Sequence, residues 1–480
     1  MGRTSLRHVG STALWVALAS CALVVSPSGS AGATGAVATV TISGATTYQS
    51  ISGFGVSEAF SQARTVMNAP AAVRNAALSL LFGRTSGAGL SILRNFIPST
   101  KNVGTIEPTA PASPSTPPAY QPLGTDDGQE RLSKYIQTWY GVNQFVADAW
   151  GAPPFMKTND SDSGGGTLCG VPGATCTSGD WRQAYANYLV QYAEDYAADG
   201  INLEYLGFEN EANLAPDYSG MVLTPAQTAN FADVLGQNLA NSGLSTQVEC
   251  CDTEGWNYAA QYANALEADP TASSYVKLFT SHGYTAPPKS PLAGWTNPVW
   301  ETEWSTFETW DPSWDDGTDA SGFSWAQRIY QGLTSADLSA FFYWWGTSTP
   351  TYNGDNESLV QINGSTVVPS GRLWAFANFS RFVRPGAVRI AASTDKSSLE
   401  ITDLLTPRLR EVKWSSVVKC GHPRSGHDSH SPICGSLWPC WVACCGVPLT
   451  NPLTRACRRG TFSVSVGAPS FGAAPLCGVQ

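Results

Sequence analysis

"LEYLGFENEANLAP", residues 203–216, is the stretch whose reading decides the fold. An apolar run with strand character stops at Asn210 and Glu211, and a loop follows. A carboxylate at the tip of a buried strand is costly to desolvate unless it is paired, so it points to chemistry. With 13% charged residues in the chain, such a placement stands out. Runs of the same kind recur on both sides of it. They are "ISGFGV" (51–56), "GLSILRNFI" (89–97), "VNQFVADAW" (142–150), "TQVECCD" (246–252), "YVKLFTSHGY" (275–284), "NPVWETEW" (297–304) and "SAFFYWWG" (339–346).

Helical patterns fill the intervals. A helix is predicted near 71–83, and a stronger one over 180–200, where Trp181, Tyr185, Tyr188, Leu189, Tyr192 and Tyr196 recur at helical spacing. Asp180 is placed to cap that helix and Gly200 to end it. Thr224, Pro225 and Gln227 form a capping box with proline in the first turn. Strands alternating with helices predict the α/β class, a (β/α)8 TIM barrel over residues 51–385. Residues 34–50 and 386–405 alternate as strands, which predicts an appended small β-sandwich side domain.

Residues 406–480 differ from the rest. They hold seven of the twelve cysteines, three of the five histidines, and eight Lys or Arg against two acidic residues. Cys420, His422, His427, His430, Cys434 and Cys440 lack the regular pairing of a zinc module. A shifted reading frame in GC-rich coding sequence yields text of this kind, and no function is assigned to it. Strand alternation returns only at "TFSVSV", 461–466.

At the other end, Arg3 and Arg7 precede an apolar run from Thr12 to Val25, and Ala31-Gly32-Ala33 fits a signal-peptidase site. Residues 1–33 therefore read as a signal peptide, and the run is short for a membrane span. A lipobox at "LASC" (18–21) is the alternative, but the apolar run continues past Cys21. The expectation is a secreted, extracellular protein, monomeric, without a membrane partner. A net charge of −10 argues against nucleic acid. Cys169 and Cys176 bracket a Gly- and Pro-containing loop and are expected to form a disulfide. Cys250 and Cys251 are expected on a strand, facing opposite sides.

The chain is 11% aromatic and has 17 Trp, more than core filling requires, and flat aromatic faces are a common way to hold neutral sugars. Hydrolysis of a glycosidic bond needs two carboxyl groups flanking it. Glu211, ending the fourth strand, and Glu303, ending the seventh, both fall at the C-terminal rim where such barrels carry their chemistry. Rim carboxylates paired with Arg or Lys are the competing reading.

The ordered motifs resemble glycoside hydrolase family 30. They are "ISGFGVSEAF" (51–60), "GLSILR" (89–94), "ADAWGAPPFMKTN" (147–159), "GFENEANL" (207–214), "SHGY" (281–284), "WETEWS" (300–305), "FFYWWG" (341–346) and "FSRFVRPGAVRI" (379–390). The resemblance covers about residues 37–403 and implies a retaining glycosidase that needs no cofactor and no metal. It implies Glu211 as general acid/base and Glu303 as nucleophile, in preference to Glu209 and Glu301. It further implies Asn210 on the sugar 2-hydroxyl, Trp150 as a stacking face, and His282 with Tyr284 orienting Glu303. Arg94 would hold the nucleophile ionised, and Trp345 lies in the last motif as a substrate-binding candidate. One departure stands out: Ala212 replaces the proline usual after Asn-Glu.

"GFGVSEAF", "DAWGAPPFMKTN" and the Cys169–Cys176 loop look most like the xylan-cleaving members. Xylan is therefore the expected substrate. Arg64 is the candidate partner for the carboxylate of a glucuronosyl branch. A β-1,6-glucanase or galactanase, a glucosylceramidase, and a carbohydrate-binding inactive relative are the alternatives.

Overall fold

The computed structural model describes residues 38–123, 126–350, 356–397, 399–405 and, for the backbone alone, 461–466. Eight parallel strands close into a barrel: β2 (Gly53–Ser57), β3 (Ile92–Phe96), β4 (Gln144–Asp148), β5 (Leu203–Leu206), β6 (Gln247–Thr253), β7 (Val276–His282), β8 (Val299–Glu303) and β9 (Ala340–Ser348). Closure comes from β9, which pairs in parallel with both β2 and β8. Each of the eight runs predicted from the sequence forms its strand.

Helices surround the barrel: α1 (Gln62–Asn68), α2 (Ala71–Phe82), α3 (Gln129–Tyr140), α4 (Arg182–Ala198), α5 (Pro225–Ser242), α6 (Trp256–Ala268), α7 (Pro270–Tyr275), α8 (Gly322–Ser335) and α9 (Gly371–Ser380). The capping box at Thr224 and Gln227 is present, with both reciprocal hydrogen bonds. α4 starts one residue later than expected: Trp181 is its N-cap, and Asp180 instead accepts the Arg182 N–H at 3.0 Å. Gly200 follows the helix with φ +79°, the left-handed conformation that glycine adopts without steric cost.

The lower barrel interior is apolar. Ile92, Val146, Tyr205, Leu278, Trp300, Ala340 and Phe342 form a buried cluster in which Trp300 stacks on Phe342 and meets Tyr205 edge-on. Trp300 is fully buried, so Trp300→Ala is expected to cost about 3–5 kcal/mol, read as a lower denaturant midpoint at unchanged slope. Two residues further along β3 and β4, the same inward positions become polar, with Arg94 and Asp148.

A hairpin, β10 (Ser358–Asn363) with β11 (Thr366–Pro369), extends the sheet beyond β9 and was not foreseen from the sequence. The side domain is one antiparallel sheet in the order β13-β12-β1-β14, from β1 (Ala38–Ile51), β12 (Ala387–Thr394), β13 (Asp403–Leu405) and β14 (Thr461–Val466). Among the described residues it is this single sheet, not the two facing sheets of a sandwich. Val40, Ile42, Ile390 and Ile401 form its small core. Arg389 on β12 ties it to the barrel through Asp337 at 2.5 Å, and Gln49 on β1 donates to the Leu333 carbonyl of α8 at 2.6 Å. The segment read as a signal peptide and the Cys/His tract between 406 and 460 lie outside the described residues. Among those described, no helix is long and apolar enough to cross a membrane.

Candidate active site

Arg94 is the centre of the polar layer. Its guanidinium is wholly buried, and it donates from Nη1 to Glu303 Oε2 at 2.6 Å. From Nη2 it reaches Asp148 Oδ2 at 2.9 Å, Asn210 Oδ1 at 2.7 Å and Asp252 Oδ2 at 3.0 Å. Strand alternation explains its aim: Ile92 faces the barrel axis, so Arg94, two residues on, faces it as well. The indole of Trp150 covers the guanidinium at 4.5 Å, a cation–π contact.

Glu303 reaches this layer through an irregularity. Trp300 faces inward and Glu301 outward, where Glu301 accepts the Trp256 indole N–H at 2.6 Å. The β7–β8 register shifts between Ser281 and His282, so that His282 lies opposite Glu303. Thr302 and Glu303 therefore both serve the interior, Thr302 donating to Asp252 and Glu303 accepting from Arg94. Tyr284 donates to the other Glu303 oxygen at 2.9 Å.

Glu211 arrives differently. β5 ends at Leu206, and Glu211 has φ +51° in the loop beyond it, with its N–H donated to the Asp252 carbonyl at 2.7 Å. Its Oε1 lies 3.2 Å from His282 Nδ1, and its Oε2 accepts the Tyr218 hydroxyl at 2.7 Å. Glu209 instead turns outward to Thr228 at 2.7 Å. Of each Glu pair, the second member is thus the one that enters the layer. A carboxylate oxygen of Glu211, a ring nitrogen of His282 and a carboxylate oxygen of Glu303 lie within 4.8 Å of one another.

Electrostatics divide these groups. Burial raises the Glu303 carboxyl above its usual range, opposed by the charges of His282 and Arg94. Burial works against a charged His282, but Glu303, Asp252 and Glu211 outweigh it and push its pKa up to about 10. His282 is then an imidazolium at neutral pH, with both ring nitrogens as donors. Proton NMR is expected to show it protonated at pH 7 in the native protein. A raised histidine pKa adds stability that is fully present below about pH 6.5 and is lost as pH rises towards 10.

Burial and the neighbouring Asp252 raise Asp148 and Glu249 well above the carboxylate range. For Asp252 itself burial is overcome by Arg94 and His282, which hold it well below that range. Two cations thus face the ionised carboxylates. Asp148, Glu249 and Asp252 also bring oxygens within 4.8 Å of one another, as a metal site does, but Arg94 already occupies the place of the cation there. Gly207 makes room for the cluster: a Cβ there would lie 2.1 Å from Asp148 Oδ1. Gly207→Ala is expected to displace Asp148 and destabilise the fold by about 1–3 kcal/mol, measurable by urea unfolding.

The predicted residues divide into two groups. Glu211, Glu303, Asn210, Arg94, His282 and Tyr284 meet in one cluster. His282 hydrogen-bonds Glu211, however, and approaches Glu303 only to 4.0 Å, so Tyr284 and Arg94 do the orienting expected of it. Asn210 spends its Oδ1 on Arg94, which leaves a buried Nδ2 with no partner among the described residues. Trp150 is only 2% exposed, wedged among Phe60, Phe96 and Trp344, and offers little open face. Trp345 is buried against Trp344 in the same aromatic cluster. Arg64 stands apart, exposed and paired with Asp127 at 2.8 Å.

The sequence reading missed Tyr218, Asp148, Asp252, Glu249 and Thr302. Asp148 and Asp252 lie at strand C-terminal ends, the position that marked Glu303, and that rule alone would have raised them. Tyr218 sits on an irregular loop and carried no signal. The substitution at Ala212 is accommodated: Ala212 is fully buried, and its carbonyl accepts the Leu223 N–H at 3.1 Å. Cys169–Cys176 is formed as foreseen. Cys250 and Cys251 do not face opposite sides, because their sulfurs are bonded to each other, across a cis peptide.

The barrel with paired carboxylates at the ends of its fourth and seventh strands defines the class, and sequence comparison agrees with it. The profile of the glycosyl hydrolase family 30 TIM-barrel domain matches residues 51–297. The chain belongs to glycosyl hydrolase family 30. The solved catalytic domain of GH30 xylanase C from Talaromyces cellulolyticus is 44% identical, with a TM-score of 0.73, covering 77% of this chain and 84% of that one. Lysosomal acid glucosylceramidase of Mus musculus is 27% identical over 54% of this chain and 54% of its own length. Glucuronoxylanase XynC of Bacillus subtilis is 24% identical over 45% of this chain and 47% of its own. The chain spans about half the length of these two curated relatives.

Proposed function

We propose that this protein is a secreted retaining glycoside hydrolase that cleaves β-1,4-xylan by double displacement. The observation that carries the mechanism is the approach of Glu211 and Glu303 oxygens to within 4.8 Å. Retaining enzymes hold their carboxyls about 5–5.5 Å apart, whereas inverting ones leave about 6.5–9.5 Å for a water. Glu303 attacks the anomeric carbon while Glu211 gives its proton to the departing glycosidic oxygen. Glu211 then takes a proton from water, the water oxygen attacks the anomeric carbon, and Glu303 leaves. Asn210 Nδ2, which has no partner among the described residues, is the donor for the sugar 2-hydroxyl, and Arg94 and Tyr284 keep Glu303 aligned as its charge changes.

The 44% identity to a xylanase supports xylan as substrate. The likeness to a glucosylceramidase supports a ceramide-bearing substrate less well, since that needs an apolar rim. Among the described residues, the large exposed hydrophobics that touch the site's own groups are Tyr218, on Glu211, and Phe307, stacked on Tyr284. Two disulfides suit an oxidising compartment and so support export. The test is mass spectrometry of products from glucuronoxylan. Xylo-oligosaccharides are expected from the wild type and none from Glu303→Ala. Activity on 1,6-linked glucan or glucosylceramide alone would overturn the substrate assignment. If each product carries a glucuronosyl branch at one fixed position, Arg64→Ala is expected to abolish that preference.

A further inference from the structure

The disulfide between Cys250 and Cys251 directly precedes Asp252, the residue on which both halves of the catalytic pair depend. The Asp252 carbonyl accepts the Glu211 N–H at 2.7 Å. Its Oδ2 lies 3.0 Å from the same guanidinium that holds Glu303 at 2.6 Å. Its Oδ1 accepts from Thr302, the neighbour of Glu303, and stands 3.4 Å from His282 Nε2. The backbone of Asp252 has φ +41°, in the left-handed region that is uncommon for residues other than glycine, aspartate and asparagine being the most frequent exceptions. Its N–H donates to Thr280 at 3.0 Å, and the segment before it is bound by the sulfur–sulfur bond.

A disulfide commonly stabilises a protein by restricting the unfolded chain, and that gain grows with the loop it closes. Cys169 and Cys176 are seven positions apart, whereas Cys250 and Cys251 are adjacent, so the second bridge restricts the unfolded chain least. Its effect is local. Both residues are buried, and Cys250 Sγ rests 3.6 Å from Glu209, whose carboxyl burial raises well above its usual range. We propose that the Cys250–Cys251 disulfide is a positioning element for catalysis, holding Asp252 so that Glu211 and the Arg94–Glu303 pair stay in mutual register. This rests on the assignment of Glu211 and Glu303 as the catalytic pair. Opening the bridge takes two electrons and two protons from an added dithiol, which closes to its own cyclic disulfide and leaves two thiols.

The test compares the wild type, a Cys250→Ala/Cys251→Ala variant and a Cys169→Ala/Cys176→Ala control, with kcat, KM and melting temperature measured on soluble xylan. The first variant is expected to lose about 10- to 100-fold in kcat, the scale of a misplacement near 1 Å, with KM little changed and a melting temperature no lower than the control's. The control variant treated with dithiothreitol is expected to lose kcat similarly and to regain it on reoxidation. Wild-type kcat in the first variant would overturn the proposal, as would parallel losses of kcat and melting temperature in both variants. If the first variant fails to fold, the reduced control decides: full kcat with both thiols shown free by mass-tagged alkylation would overturn it. An active wild type with an unaffected variant sinks this inference alone, while no glycoside hydrolysis by the wild type sinks it together with the proposed function.

Discussion

Glu303→Ala is expected to lower kcat on xylan by about 10⁴- to 10⁶-fold, the scale on which enzymes lose turnover when a covalent nucleophile is deleted. The size follows from what Glu303 is surrounded by. Arg94 donates to one of its oxygens at 2.6 Å and Tyr284 to the other at 2.9 Å, so the carboxylate is held in one orientation, the one the proposed attack requires. Alanine leaves these donors facing a void. Glu211→Gln is expected to cost less, about 10²- to 10⁴-fold, because it removes proton transfer and leaves the nucleophile. The two substitutions also differ with leaving group. An aryl glycoside, whose phenolate departs without protonation, should restore much of the first step in Glu211→Gln and nothing in Glu303→Ala. Burst kinetics with such a substrate would read the trapped glycosyl-enzyme directly. Equal losses for both variants on both substrates would contradict the assignment of roles.

Arg94→Met is the second large effect, expected in both stability and activity. Arg94 is wholly buried and touches Glu303, Asp148, Asp252 and Asn210. Removing one partner of a buried ionic group strands the others, which costs about 3–5 kcal/mol. The pH profile gives a sharper reading. Burial raises the Glu303 carboxyl, and Arg94 together with His282 opposes that rise. Without the guanidinium the rise is less opposed, so the acidic limb of kcat/KM moves to higher pH. The sign for stability follows from Asp252, which Arg94 and His282 hold well below the carboxylate range. A depressed carboxyl stabilises above its unfolded pKa of about 4, and that stability is lost as pH falls through the folded value. Arg94→Met should therefore lose its stability difference from wild type in strong acid. Arg94→Lys is expected to recover little, because a single ammonium lacks the fork that reaches several acceptors at once. An unmoved acidic limb in a folded Arg94→Met protein would refute the electrostatic role.

Much of this arrangement was legible in the chain because it is written at short range. The eight barrel strands are short apolar runs bounded by turns, and their alternation with helices leaves few ways to bury both layers. The capping box at Thr224 and Gln227 is a contact between residues three apart, readable without any knowledge of the fold. Glu211 and Glu303 were readable because a carboxylate at a barrel strand's C-terminal end lies where such folds place their chemistry. The hairpin β10–β11 escaped notice because short strands at a sheet edge have little periodicity to display. Asp148 and Asp252, at strand C-terminal ends, lay within reach of the same rule, whereas Glu249, within β6, looks like an ordinary acidic residue until the fold places it beside Asp252.

The sequence by itself determined the order of elements, the closed barrel and the placement of Glu211 and Glu303 at one rim, because burial pattern and strand ends are local properties of the chain. Only the tertiary structure decided how those glutamates are served. The register shift beside His282 brings Thr302 and Glu303 to bear on the same interior, and φ +51° at Glu211 turns its side chain to His282 and Tyr218. Cys250 and Cys251, which simple strand alternation would separate, are joined. Trp150, expected as an open platform for sugar, is instead the cover over Arg94. These outcomes depend on which groups from distant strands meet at one depth in the barrel, and charge, hydrogen bonding and burial take their values only at that meeting.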